Sequence, residues 1–167
     1  MDTPASDLTT RYAQVLDGVI TAVEPLDAAS LRRLCPAEQC TVAALACHIA
    51  AVHGAAAGFV RAIVAGDVLP PLTMEDIDRN NAANAAGNVA RGKGEVIARL
   101  QAGGEAMTTE LRGLRADDLA RTAPFTLVGG EVSVQSLVEQ AVLAHTEQHL
   151  ASLQAAVGTE ASPADDG

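Results

Sequence analysis

The chain has four histidines, and their spacing is the first feature that points to chemistry. His145 and His149 stand four residues apart in the segment "LVEQAVLAHTEQHLASLQ". Side chains at i and i+4 share one face of a helix, so both imidazoles can reach the same ion. Catalytic metal sites use about three protein ligands and leave one position open. The third candidate ligand is His48, in the alanine-rich segment "TVAALACHIAAVHGAAAGFVRAIVAG".

The surroundings of the histidine pair indicate which way it faces. Val138 and Val142 lie on the same helical face as the pair, whereas Glu147 lies toward the other side, so we expect the pair to face inward. Such a pair also occurs without metal on solvent-facing surfaces, but buried imidazoles need partners, and a shared cation is one. Leu143 and Leu150 fall on the far side with the charges, where we expect them to pack against a partner or another helix.

His53 and Thr146, which lie close in sequence to the candidate ligands, limit the kinds of metal site that the chain can form. At about 100° per residue, His53 is rotated about 140° from His48, so we expect it elsewhere, at a boundary. Zinc proteases of the zincin type need a glutamate directly after the first histidine, to activate water. Thr146 occupies that position here, so "HTEQH" is not that motif.

The cysteines have a structural interpretation. Cys35, Cys40 and Cys47 make an odd number, which argues against a secreted disulfide framework and favours a reducing compartment. Cys47 lies about 100° around the helix from His48. We expect it to be a small buried apolar residue rather than a metal ligand, and we assign Cys35 and Cys40 structural roles as well.

Helices must position these side chains, and the apolar period of three and four predicts four of them. The second helix begins at the N-cap Thr41 and ends at Gly66. The fourth is capped by Ser133, or by Ser136 with Glu139 as its capping-box partner. The four predicted helices cover residues 6–24, 41–66, 73–114 with an interruption near 87–94, and 133–156. Asn80, Asn81 and Asn84 would lie near the start of the third.

The connections between these helices have unequal lengths. The segment after the second helix starts with a Pro-Pro loop, has a cap at Thr73 and is interrupted near residues 87–94. A turn or small hairpin is expected around Gly129 and Gly130. These patterns predict an all-α fold, a four-helix bundle with a long crossover, in a single domain over residues 1–157 followed by a flexible polar tail, 158–167.

Composition excludes several classes of function. With a net charge of −10 and only 11 lysines and arginines, the chain lacks the basic surface of a nucleic-acid binder. It has no run of about 18 uncharged apolar residues and no signal-peptide pattern, so we expect a cytoplasmic protein with no membrane partner.

Two stretches, "CPAEQCTVAALACHIAAV" and "SVQSLVEQAVLAHTEQHLASL", resemble the DinB-like (YfiT-like) superfamily, and the resemblance covers roughly residues 6–156. It implies a four-helix bundle that binds a divalent metal through one histidine on the second helix and an H-x-x-x-H pair on the fourth. His48, His145 and His149 match those positions. The resemblance also implies a homodimer, which is the commonest arrangement of soluble oligomers. The superfamily includes S-transferases that use bacillithiol or mycothiol, and the mycothiol-dependent maleylpyruvate isomerase.

The chain departs from the isomerase branch in two respects. Cys40 stands where that branch often has an aromatic residue, usually tryptophan, and the sequence has no tryptophan. The isomerase also has a second, C-terminal domain, whereas we expect a one-domain enzyme here.

The resulting functional expectation is a metal-dependent thiol S-transferase or isomerase with a small-molecule substrate. Three imidazoles suit Zn or Ni, and mycothiol or a related thiol is the expected cofactor. A metal-dependent hydrolase and a non-catalytic protein for ligand binding or stress protection are the alternatives. The candidate substrate contacts, for which cap and surface polarity is the alternative interpretation, are Arg79, Asn80, Asn81 and Asn84.

Overall fold

Helices dominate the structure, a computed structural model that describes residues 4–158. The predicted polar tail lies outside these residues except for Gly158, which ends the last helix. The longer helices are α1 (Pro4–Val23), α2 (Val42–Ala65), α3 (Met74–Asn88), α4 (Lys93–Gly113) and α5 (residues 134–158). Shorter helical segments are Ala28–Leu31, Ala116–Ala120 and Thr126–Val128.

Four of these helices form a bundle in which α1 and α2 each pack against both α4 and α5. In α4, Gly103 lies against the Ala50 backbone of α2, and further along Glu110 pairs with Arg61, so α2 and α4 run parallel. Two consecutive parallel helices require a connection that returns along the bundle. The predicted all-α bundle and its long crossover are therefore confirmed.

Helix α3 supplies that return path. The Nδ2 of Asn84, near its C-terminal end, donates to the carbonyl of Ala44 near the start of α2, at 2.9 Å. Thr126 Oγ1 donates to the carbonyl of Leu72, just before α3, at 2.6 Å. This helix lies beside α2 and outside the bundle, so the candidate asparagines belong to a separate helix and not to the start of the third bundle helix.

Local sequence signals set the helix ends. Thr41 accepts a hydrogen bond from the amide of Ala44, and Gly66 ends α2 with a left-handed φ of 80°. Thr73 and Asp76 form a capping box at the start of α3. Of the two predicted caps for α5, Ser133 makes the hydrogen bond.

Two small antiparallel pairs complete the fold. Strands β1 (Leu34–Cys35) and β2 (Cys40–Thr41) form a hairpin immediately before α2. Strands β3 (Thr122–Phe125) and β4 (Gly130–Ser133) form the hairpin predicted around Gly129, which has a φ of 64°.

Helix α2 is the central helix of the core. By length and composition alone it also meets the criteria for crossing a membrane, but most of its apolar residues are buried against α3, α4 and α5. Leu143 and Leu150 on α5 pack within the core as well, Leu150 against Gly18 of α1. The side of α5 that carries these leucines therefore faces another helix of the same chain.

Candidate metal centre

Three histidine side chains converge between two helices of the bundle. His48 projects from α2, and His145 and His149 project from α5. The Nε2 of His145 lies 3.4 Å from the Nε2 of His48 and 2.9 Å from that of His149. One nitrogen from each ring lies within 4.8 Å of the others, a grouping that could hold a metal ion.

An unusual stretch of helix precedes the pair. Residues Leu137–Ala144 are π-helical, and the α-helix resumes at His145. A π-helical stretch is rare, is frequent at functional sites, and turns by a different angle per residue than an α-helix. A purely α-helical projection of α5 therefore misplaces residues on the N-terminal side of His145.

A carboxylate that the sequence analysis did not single out lies beside these rings. Glu38 occupies the turn between β1 and β2, where the next residue, Gln39, has a left-handed φ of 54°. Its Oε1 accepts hydrogen bonds from Ser152 Oγ at 2.8 Å and from His149 Nδ1 at 3.0 Å. No periodic signal could have found Glu38, because its contact with His149 spans 111 residues of chain.

Proton positions show that a cation fits this cluster. A carboxylate only accepts, so Nδ1 of His149 carries the proton and Nε2 of the neutral ring presents a lone pair toward His145. The buried Nδ1 of His145 has no hydrogen-bond partner among the described residues. The three clustered Nε2 atoms can share either a proton or a cation, and a cation would occupy the lone pairs of all three; the proton of neutral His145 would then lie on its Nδ1.

The electrostatics favour neutral, ligand-ready rings. Burial is the main cause that lowers the pKa of both His48 and His145, that of His145 to about 4, with the neighbouring imidazoles adding to the effect. For Glu38, burial raises the pKa, but the hydrogen bonds from Ser152 and His149 outweigh it and the net shift is downward. At neutral pH the site thus combines the uncharged imidazoles of His48 and His145 with one carboxylate.

The three histidines open onto a pocket of about 580 Å³ between α2, α3 and α5. Its apolar lining includes Leu45 and Val52 from α2 and Ile77 from α3. Cys40, which was expected to be structural, also lines it. The pocket gives a small molecule direct access to the imidazole cluster.

The four candidate substrate contacts separate into two groups. Asn81 and Asn84 line the pocket, although Asn84 is also tied to the backbone of α2. Asn80 is exposed and not part of the lining. Arg79 is exposed and pairs with Glu75 and Asp76. These pairs lie within the first two turns of α3.

His53 lies away from the cluster as expected, but it is fully buried and not at a boundary. Its Nδ1 is 2.9 Å from Tyr12 Oη and its Nε2 is 2.8 Å from Thr146 Oγ1, which links α1, α2 and α5. Burial is the largest cause that lowers its pKa to about 4, followed by His145. The expectation failed because α2 has neighbours on several sides and has no boundary at that position.

The cysteines are all free thiols. Cys35 and Cys47 are buried, and Cys40 is half-buried. Burial raises the pKa of each, that of Cys35 to about 11. Each thiol therefore stays protonated at neutral pH, which makes it a weak nucleophile.

A known protein family matches most of the chain. A family model described as the mycothiol maleylpyruvate isomerase N-terminal domain matches residues 12–149. This range includes the three clustered histidines and every residue that lines the pocket. No curated protein and no solved structure shows significant similarity to the chain.

Proposed function

Since the chain belongs to the family of mycothiol maleylpyruvate isomerase N-terminal domains, within the DinB-like superfamily, we propose that it is a metal-dependent enzyme that uses a low-molecular-weight thiol of the mycothiol type. The observation that carries this proposal is the cluster of three imidazole nitrogens that opens onto a pocket. His48, His145 and His149 are the proposed ligands, and Zn or Ni is the proposed metal.

Each residue has a defined part in this proposal. A divalent metal held by the three histidines would supply a positive charge that stabilises a thiolate or hydroxide at neutral pH. Glu38 holds the proton on His149 Nδ1 and fixes the orientation of that ring. The pocket beside the histidines positions the second substrate and shields it from water.

We favour S-transfer over isomerisation as the reaction. In S-transfer the thiol sulfur forms a bond to an electrophilic carbon, the leaving group departs with its electron pair, and the thiol proton passes to solvent. Maleylpyruvate, which the family description names, carries two carboxylates. The pocket lining contains no lysine or arginine to receive them.

The first test is metal content. Elemental analysis of the purified protein should give about one Zn or Ni per chain, and both His48→Ala and His145→Ala should lose it. Stoichiometric metal in His48→Ala would contradict the three-histidine site. No metal in the wild type, even after reconstitution, would favour a non-catalytic ligand-binding protein.

The second test is turnover by the metal-loaded protein. Conjugation of mycothiol to 1-chloro-2,4-dinitrobenzene releases chloride and forms an absorbing thioether. We expect the rate to depend on the metal and to disappear in His145→Ala. Absence of turnover with mycothiol and other thiols would contradict the transferase proposal.

A metal-dependent hydrolase is the second candidate, and the position of Glu38 in the pocket lining favours it, because hydrolysis needs a general base. Ester hydrolysis that is unaffected by added thiol would identify this activity. A cytoplasmic location, a homodimer, and the absence of nucleic-acid and membrane partners remain proposals. Sedimentation of the purified protein tests the dimer directly.

A further inference from the structure

The pocket beside the histidines lacks positive charge. None of the residues that line it is a lysine or an arginine, and its carboxylate is that of Glu38. All 11 lysines and arginines of the sequence lie between residues 11 and 121, within the part of the chain that the structure describes. The undescribed ends therefore cannot add a cationic side chain to the pocket.

The helices around the pocket carry few cationic side chains, and those side chains already form ion pairs. Helix α5 contains no lysine or arginine. Arg61 of α2 pairs with Glu110 at 2.6 Å, and Arg79 of α3 pairs with Asp76 at 3.0 Å. A carboxylate in the pocket would thus meet no guanidinium from these helices without breaking an existing pair.

The rest of the lining suits an uncharged molecule. Apolar side chains come from all three helices, and Asn81, Asn84 and Gln148 supply neutral amides. Such amides can hydrogen-bond a neutral molecule but cannot compensate the charge of a buried carboxylate.

We infer that the pocket selects an uncharged, largely apolar electrophile as the second substrate and rejects molecules that carry a carboxylate. The inference rests on the proposed function, whose site it specifies. The net charge of −10 acts in the same direction, since the surface field also repels anions that approach.

A matched ligand pair tests this selectivity without any turnover. 1,3-Dinitrobenzene and 3,5-dinitrobenzoate differ by one carboxylate, absorb light and do not react with thiols. Equilibrium dialysis against the zinc-loaded full-length protein gives both dissociation constants, with 2-mercaptoethanol in excess so that the probe does not compete for the metal. We expect the neutral probe to bind at least about tenfold more tightly.

Two neighbouring alanines of α3 provide a variant and its matched control. Ala82 lines the pocket, whereas Ala83 is also exposed but does not line it. Ala82→Arg should reduce the preference for the neutral probe by about tenfold, because it places a cation in the pocket. Ala83→Arg adds the same charge in solvent, where it is screened, and should change the preference by less than about twofold.

The outcomes separate this inference from the proposed reaction. Equal affinities, tighter binding of the benzoate, or no binding of the neutral probe by the wild type would overturn it, as would equal effects of the two arginine variants. Selective binding of the neutral probe without conjugation of 1-chloro-2,4-dinitrobenzene would support the inference and reject the transferase. Conjugation of 1-chloro-2,4-dinitrobenzene without selective binding of the neutral probe would support the transferase and overturn the inference.

Discussion

Glu38 connects a short turn to the imidazole cluster. Its Oε1 receives hydrogen bonds from both His149 and Ser152, so one carboxylate oxygen fixes two side chains of α5. In metal sites, such a carboxylate sets the tautomer of the ligating histidine and raises its basicity. The hairpin that carries Glu38 therefore belongs to the candidate site as much as the helices do.

Removing this carboxylate should weaken metal binding. We expect Glu38→Ala to lower zinc affinity by about 10- to 100-fold, measured by competition with a chromophoric chelator. Glu147→Ala is the matched control. Glu147 is an exposed carboxylate on α5, the helix that carries His149, and it does not line the pocket. An unchanged affinity in Glu38→Ala would show that this hydrogen bond does not support the ligand.

The burial of His53 has a consequence for stability against pH. Its pKa is about 4 in the folded chain against an ordinary 6.5, so below pH 6.5 the unfolded chain binds the proton more readily. The stabilising contribution is complete above pH 6.5 and is lost as the pH falls toward 4. Between pH 7 and pH 5 the loss is about 2 kcal/mol.

His53→Gln tests this, because glutamine does not titrate. Denaturant unfolding at both pH values should show a smaller decrease in the free energy of unfolding for the variant than for the wild type. All other titratable groups are the same in the two proteins, so their contributions to the decrease cancel in the comparison. Equal decreases would mean that His53 becomes protonated in the folded state without cost.

The sequence identified the three clustered histidines because helical spacing and an inward face are local properties. Glu38 was missed because its partners lie on a distant helix, and nothing in its own segment shows that proximity. His53 was predicted to lie away from the other three histidines, and its ring contacts Tyr12 and Thr146 instead. The burial of His53 was not predicted, since it depends on how many helices surround α2.

Close helix packing within the bundle depends on paired glycines in α4. A Cβ at Gly103 would meet the backbone oxygen of Ala50, and one at Gly104 would meet the side chain of Leu16. From the sequence alone, two glycines inside a helix only lower its helix propensity. Their contribution to packing depends on the neighbouring helices and is not visible in the segment itself. They let α2 and α1 approach α4 closely.

We expect Gly103→Ala to lower the free energy of unfolding by about 1–3 kcal/mol, because the backbone of α2 must shift to accommodate the methyl group. Gly94→Ala in the same helix is the control. A Cβ there meets nothing within 4 Å. Thermal unfolding should show this control to be as stable as the wild type, or more stable by up to about 1 kcal/mol.

Most helices were predictable because each has its own start and stop signals. Thr41 and Gly66 bound α2, and the predicted limits differ from the observed ones by one residue. Helix α3 differs from the others because its composition is polar and only Asn88 is buried. Its position beside α2 follows from the parallel arrangement of α2 and α4, which no segment encodes alone.

Net charge is a property of the whole chain, and here it opposes folding. A charge of −10 repels itself in the folded state more than in the expanded chain. Sodium chloride should therefore raise the melting temperature between low ionic strength and about 0.2 M, where the screening length falls below about 10 Å. A melting temperature that decreases with salt would show that attractive ion pairs outweigh the repulsion.

The separation of the histidines along the chain affects the order of folding events. His48 and His145 are 97 residues apart, and Glu38 and His149 are 111 apart. Such distant contacts pay a large loop-closure entropy, so the cluster forms only after α5 docks on α2. Metal capture would then be a late step, and stopped-flow measurements should show that zinc slows unfolding and leaves the folding rate unchanged.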